Sequence, residues 1–303
     1  MKRDRIILGS RGSDLALAQA EIVRNSLVDH LDVPVEIRPI RTTGDRVTDL
    51  PLQRLEGTGF FTKELEEALL AGQADLAVHS LKDLPTAIPV GLKLGAIAFS
   101  EDRRELLIIR PESQTGTGPL PIRPGGVVAS GSPRRQCQIV HLNSTLKTTG
   151  LRGNIPTRIR KLRQGQYDAI VIAAAGVRRL KLDLSDLETI CLDPETFLPA
   201  PGQGMLAIQV RCEDTALQAA VAELDSPLDR LTADLERGLL ARFQSGCSLP
   251  LGVHSQVDNG VFHLKAVLGR KKDDGWGTLK CAEVTGTDVE TVIDRVFKML
   301  QQP

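Results

Sequence analysis

The sequence predicts an α/β protein in three parts, two α/β units followed by a small α+β unit with an antiparallel sheet. Three observations carry this expectation. The opening reads β-α-β, a second run of buried-strand and helix patterns starts near Glu105, and after Pro227 alternating segments replace the continuous apolar runs. A chain of 303 residues, 41% apolar and 25% charged, is long enough to bury two or three cores. The expected divisions are 1–100 with about 200–220, then 101–199, then 221–303.

In chain order, Arg5 to Leu8 reads as a buried strand ending at Gly9. Ser13 can cap a helix with the apolar stripe Ala16, Ala20, Val23, Leu27 and Leu31, and Val33, Val35 and Ile37 alternate as a strand. The segment RTTGDRVTDLPLQRLEGTGFF carries three glycines and a proline without a clean period, so residues 46–59 are expected to form a lid. Helix resumes at Thr62, with Glu64, Glu66 and Glu67 near the positive end of its dipole. ADLAVHS is a strand running into LKDLP. In the second unit, LLIIR, VVAS and AIVIAAA read as strands, and helices are expected over Pro133 to His141 and Pro156 to Gln164. LPAPGQGMLAIQV holds turn signals and then a strand that could return to the first unit. The last part reads as a helix from Asp229 to Phe243, strands near Val253, Val261 to Leu268 and Leu279 to Val284, and a helix from Thr287 to Leu300. No internal repeat of fixed short period is visible.

Composition excludes several classes. The N-terminus MKRDRIILGS lacks the apolar region of a secretory signal, and the longest apolar run, Ala169 to Ala175, is far below the ~20 residues that span a bilayer. A cytoplasmic location without a membrane partner is expected. Five scattered cysteines with no CxxC pair suggest neither a disulfide framework nor a zinc site. Net charge is zero, yet Arg134 to Lys181 holds eleven Lys or Arg against one acid, Asp168. Nucleic acid fits that stretch poorly, because only 3% of the chain is aromatic and stacking platforms are scarce. A small ligand with several carboxylates suits it better, since arginine forks bind carboxylates bidentately.

Particular residues then stand out. HSLKDLP puts His79, Ser80, Lys82 and Asp83 at the end of a strand, where open α/β sheets bind ligands. Asp83 reads either as a turn residue beside a proline or as a carboxylate facing a developing cation. SGSPRRQC leads Ser130 and Ser132 into a helix start beside Arg134 and Arg135, and LRGNIPTRIR repeats the arrangement around Arg152. In QSGCSLPLG, Cys247 is either a small buried hydrophobe or an attachment point, because neither His79 nor His254 sits in a recognisable nucleophile context.

Together GSRGSDLALAQA, TTGD, FFTKELEEALL, HSLKDLP, SPRRQCQ, LRGNIPTRIRKL, AAAGVRRL, PAPGQGMLAI and SGCSLPLG resemble, in order and approximate spacing, the porphobilinogen deaminase (hydroxymethylbilane synthase) family. The resemblance covers almost the whole chain and implies three domains, the first two periplasmic-binding-protein-like with mixed sheets. It implies a monomeric transferase of tetrapyrrole and haem biosynthesis, with no metal. Such an enzyme joins four porphobilinogen molecules onto a dipyrromethane cofactor, with loss of ammonia, and releases hydroxymethylbilane by hydrolysis.

The resemblance makes Cys247 the thioether anchor of the dipyrromethane and Asp83 the catalytic carboxylate. It sets Lys82, Asp83, Ser130, Ser132, Arg134, Arg135 and Arg152 against the cofactor. Arg11, Ser13, Ser80, Arg158, Arg179 and Gln203 fall to the substrate. The chain departs from the family at Ser245, where a glycine is usual, at Ser130-Gly131-Ser132-Pro133, and at Arg54 and Thr58, where lysines often stand. A two-lobed polycarboxylate-binding protein without catalysis is the alternative, and it gives no reason for Cys247.

Overall fold

The structure is a computed structural model that describes residues 4–31, 33–46, 60–244, 249–272 and 275–302. It divides into two compact units, Met1–Glu101 with Gly204–Asp234, and Asp102–Gln203 with Leu235–Pro303. The first unit opens with β1 (Ile6–Arg11), α1 (Asp14–His30), β2 (Val35–Ile40), the single turn α2 (Thr43–Arg46), α3 (Lys63–Leu70), β3 (Leu76–Ser80) and β4 (Leu92–Ala98). The second continues with β5 (Glu105–Ile109), β6 (Val127–Ala129), α4 (Pro133–Leu142), β7 (Lys147–Thr149), α5 (Ile155–Arg163), β8 (Ala169–Ala173), α6 (Ala174–Arg179) and β9 (Glu188–Cys191). The chain returns to the first unit as β10 (Leu206–Arg211) and α7 (Thr215–Ala222), and α8 (Pro227–Arg242) carries it back. β11 (Leu251–Asp258), β12 (Val261–Lys272), β13 (Gly275–Gly286) and α9 (Val289–Gln301) complete the second unit.

Local chemistry accounts for most helix starts. Ser13 Oγ accepts from Ala16 N at the head of α1, and Ala20, Val23 and Leu27 of the expected stripe are fully buried, whereas Leu31 is already the extended C-cap. Asn154 caps α5 through Thr157 N, and the helix starts at Ile155, one residue before the expected Pro156. Thr62 holds the N-cap position of α3 without a side-chain cap bond; Glu64 Oε1 instead accepts from Thr43 N at 2.7 Å. β4, β7 and β9 are additions to the expected strands. Lys147-Thr148-Thr149 in β7 carries no apolar signal, and it is a strand because β6 pairs with it in parallel register.

The two larger sheets share one design. The first has the order β2-β1-β3-β10-β4, with β1 parallel to β2 and β3, and β10 antiparallel to β3 and β4. The second has the order β7-β6-β8-β5-β9, with β6 parallel to β7 and β8, and β5 antiparallel to β8 and β9. In each, a strand distant in sequence is inserted antiparallel beside the third parallel strand. This α/β duplication is mixed-sheet architecture in both copies. The inserted strand of the first sheet is the expected return near residue 206.

α1 and α7 help to bury one face of the first sheet through Val23, Leu27, Leu217 and Val221, and α3 covers the other through Leu65, Ala68 and Leu69. The third sheet, β11-β12-β13, is antiparallel throughout. Its buried face closes on α9 and the second half of α8 through Leu264, Ala266, Val292, Val296, Leu235 and Leu239. Among the described residues no helix is long and apolar enough to cross a membrane, and no group of three His, Cys, Asp or Glu is placed to hold a metal ion.

Candidate active site

In the first unit the carboxyl ends of the parallel strands β1 and β3 end side by side, the place where open α/β sheets take ligands. Arg11, Ser13, Ser80 and Asp83 line one small cleft of about 50 Å³ there. Asp83 is the exposed last residue of a single 3-10 turn, Leu81–Asp83, that follows β3 directly. That turn is anchored, because Leu81 is fully buried and its N–H donates to the Met205 carbonyl at 3.0 Å. Ser80 accepts a hydrogen bond from Gln19 Nε2 of α1 at 2.9 Å. The Arg11 guanidinium lies over the Phe61 ring, 4.2 Å from its centroid, a cation–π contact that sets the direction of the charge. Lys82 follows on the same turn and is partly buried. Gln19 and Phe61 fall within GSRGSDLALAQA and FFTKELEEALL but were given no role in the sequence, because their partners Ser80 and Arg11 are distant along the chain.

His79, also in this cleft wall, is 5% exposed. Burial pushes its pKa down to about 4; the Gln209 hydrogen bond opposes that shift, and the Arg11 charge adds to it.

In the second unit, Ser132 is the N-cap residue of α4, which opens with Pro133 and presents Arg134 and Arg135. Both are almost fully buried, at 4% and 6% exposure, which two surface cations would not be. Glu105, fully buried at the start of β5, lies against both: Arg134 Nη2 is 2.5 Å from Oε1, and Arg135 Nη2 is 2.8 Å from Oε2. Arg134 Nη1 also donates to the Leu198 carbonyl at 2.7 Å. Burial pulls the Arg134 pKa down, Glu105 pulls it back up, and neighbouring Arg135 lowers it again. Ser130 Oγ accepts from Ser132 N at 3.2 Å and shapes the turn into the helix.

Among the described residues of this unit, several buried side-chain nitrogens lack a partner, Arg103 Nε and Lys280 Nζ among them, and two belong to the arginines singled out in the sequence. Arg135 Nε and Arg152 Nη2 are buried and have no hydrogen-bond partner among the described residues. A carboxylate-bearing ligand fits that deficit, because each orphaned guanidinium N–H needs an acceptor. Arg152 follows Leu151 before α5, and its carbonyl accepts from Lys161 Nζ at 3.1 Å. Arg158 Nε donates to the Gly153 carbonyl at 2.7 Å, and Arg179 ends α6.

Gln203 is fully buried and donates to the Arg103 carbonyl at 2.9 Å, in a turn where Gly202 and Gly204 take positive φ. Glu236 of α8 holds the same turn. It is fully buried and accepts from Gly202 N and Ser255 Oγ, each at 2.8 Å, and from the Arg103 guanidinium. Neither Glu105 nor Glu236 was singled out in the sequence. Cys247 lies outside the described residues, as do Arg54, Thr58 and the expected lid beyond Arg46.

Comparison with known proteins gives a consistent result. A family model described as porphobilinogen deaminase, dipyromethane cofactor binding domain, matches residues 6–219, and one for the porphobilinogen deaminase C-terminal domain matches residues 230–299. The porphobilinogen deaminase of Syntrophobacter fumaroxidans is 42% identical over 88% of this chain and 84% of its own length. That of Maridesulfovibrio salexigens is 38% identical over 97% of this chain and 98% of its own. Among solved structures, the substrate-binding protein of an amino acid ABC transporter is 16% identical over 77% of this chain and 93% of its own, with a TM-score of 0.38. Two family models that follow one another along nearly the whole chain, and relatives matched over almost their full length, establish that the chain belongs to the porphobilinogen deaminase family.

Proposed function

We propose that this protein is a hydroxymethylbilane synthase, a transferase that joins four porphobilinogen molecules head to tail with loss of ammonia and releases the linear tetrapyrrole by hydrolysis. One observation carries the reading: across the span matched by the cofactor-binding family model, Asp83, Arg11, Ser13 and Ser80 converge on one cleft at the strand ends. A dipyrromethane, when bound, supplies the free pyrrole α-carbon that is extended. Arg135 and Arg152, each with a buried guanidinium nitrogen lacking an acceptor, would hold its carboxylates, with Ser130, Ser132 and Arg134 completing or shaping that side; we take Lys82 as a further cofactor contact. We take Cys247 as its thioether anchor, Gln203, Arg158 and Arg179 as further substrate contacts, and the enzyme as a cytoplasmic monomer of the three expected domains.

Asp83 does the central work. Departure of ammonia from the aminomethyl arm leaves positive charge shared with the pyrrole nitrogen. A carboxylate fixed on a short anchored turn can stabilise that charge as it develops and accept the ring N–H. Arg11, braced by Phe61, and the Ser13 hydroxyl, which line the cleft, would receive the acetate and propionate arms that orient the ring.

Intact-mass measurement together with an ammonia-release assay tests the reading. Active protein should carry an adduct of two pyrrole units that Cys247→Ser abolishes, and it should release ammonia from porphobilinogen. Binding of porphobilinogen without ammonia release would favour a binding protein, and an unmodified mass in active enzyme would refute the anchor.

A further inference from the structure

The first unit buries a polar series that the mechanism above leaves unused. His79 Nε2 on β3 lies 3.0 Å from Gln209 Oε1 on β10, and Gln209 Nε2 donates to Glu66 Oε1 on α3 at 3.1 Å. Gln209 is fully buried and Glu66 is 9% exposed. The antiparallel register of β3 and β10 pairs Ala77 with Gln209 and His79 with Ala207, and strand alternation puts His79 with Ala77 on the face that α3 covers.

The direction of the hydrogen bonds is fixed from one end. Burial raises the Glu66 pKa and the Gln209 hydrogen bond lowers it; Gln209 Nε2 donates to Glu66 Oε1, the arrangement an ionised carboxylate, which can only accept, requires. That turns the amide oxygen toward His79. Because a carbonyl oxygen also only accepts, the imidazole proton sits on Nε2 and Nδ1 keeps its lone pair. His79 lines the same cleft as Asp83, Arg11 and Ser13. Charged groups around it are Arg11 from β1, Asp83 from the turn after β3, and Glu66 from α3 beyond the amide.

We propose that Glu66 and Gln209 are positioning residues that fix the His79 tautomer, and that His79 Nδ1 is an uncharged acceptor for an N–H of the bound pyrrole, second to the Asp83 carboxylate. The substrate contact rests on the function proposed above. A neutral ring with a free lone pair draws toward the charge that forms as ammonia leaves, whereas an imidazolium would oppose it. Burial keeps the ring uncharged, and the amide sets which nitrogen carries the proton.

Long-range ¹H–¹⁵N NMR of the holoenzyme tests this, with the His79 signal assigned by its loss in His79→Asn among only five histidines. The wild type should show a neutral Nε2–H ring from pH 6 to 8. Glu66→Gln leaves the Gln209 amide free to face either way, so both tautomers should appear, and kcat for ammonia release should fall about tenfold. Gln209→Met gives the same reading if Glu66→Gln does not fold. The proposal fails if the wild-type ring is protonated on Nδ1 or titrates at the ordinary histidine pKa. It also fails if either variant changes tautomer without losing turnover, or loses turnover with the tautomer unchanged. An inactive wild type with an Nε2–H ring would overturn the proposed function and the substrate contact, while positioning by Glu66 would stand.

Discussion

Glu105 and Arg134 meet inside the second unit with side chains only 0% and 5% exposed, and Arg135 closes on the other carboxylate oxygen. One buried anion therefore faces two buried cations, leaving an excess positive charge. Neutralising Glu105 would leave both guanidinium groups without their charge partner. We expect Glu105→Gln to cost ~3–5 kcal/mol in a urea titration. An unchanged midpoint would mean that water, not Glu105, satisfies the arginine pair. Dipyrromethane-loaded protein should lose less than the apoprotein, because the ligand's carboxylates offset part of the uncompensated charge.

Asp83 should separate chemistry from stability. It is exposed at the end of its turn, so Asp83→Asn should melt with the wild type and retain the two-pyrrole adduct. Loss of the charge that faces the developing cation should raise the barrier by ~2–4 kcal/mol. Single-turnover ammonia release measures this, and a rate within threefold of wild type would remove Asp83 from the charge-stabilising role.

The motif residues were legible because their signals are local. Ser13 as a helix cap, and Ser80 and Asp83 after a buried strand, depend on neighbours within a few positions. Glu236 was not legible, because its partners Arg103 and Ser255 lie 133 and 19 positions away and only the fold brings them together. The duplicated sheet order escaped the sequence for the same reason, since each copy is completed by an inserted strand rather than by a repeated pattern. β9, with two exposed and two half-buried residues in Glu188–Cys191, lacks the apolar alternation that marks a strand. Leu31 was assigned to the helix on periodicity alone, but the chain turns extended there to reach β2.

Acid should weaken the second unit through Asp168. This carboxylate accepts from Val127 N and Ser113 Oγ at 2.7 Å and from Arg123 Nε at 2.8 Å. Burial alone would raise its pKa, but these bonds outweigh burial and hold it below the ordinary value. Its contribution is therefore fully present above the unfolded pKa of about 3.9 and is lost as pH falls through the lower folded value. Asp168→Asn should lower stability at pH 7 by ~1–3 kcal/mol and flatten the acid limb of thermal melts. A variant that retains the wild-type limb would assign acid sensitivity to other carboxylates.

Gly269 tests how the antiparallel sheet supports the arginine pair. It lies in β12 beside a register shift, and a Cβ placed there would fall 2.6 Å from Cys137 Sγ and 2.9 Å from Cys137 Cβ. Cys137 belongs to α4, one turn after Arg134, whose carbonyl accepts from its thiol at 3.1 Å. A methyl group at position 269 must therefore push α4 from the sheet or bend the strand. We expect Gly269→Ala to cost ~1–3 kcal/mol by overpacking and to lower the fraction of protein that carries the adduct, because α4 aims Arg134 and Arg135. Adding Cys137→Ala should restore only part of the loss, since it removes the sulfur while the Cβ at 2.9 Å stays. Full recovery in the double variant would make the sulfur the whole obstacle, whereas normal loading in Gly269→Ala alone would show that the sheet can move without disturbing the arginines.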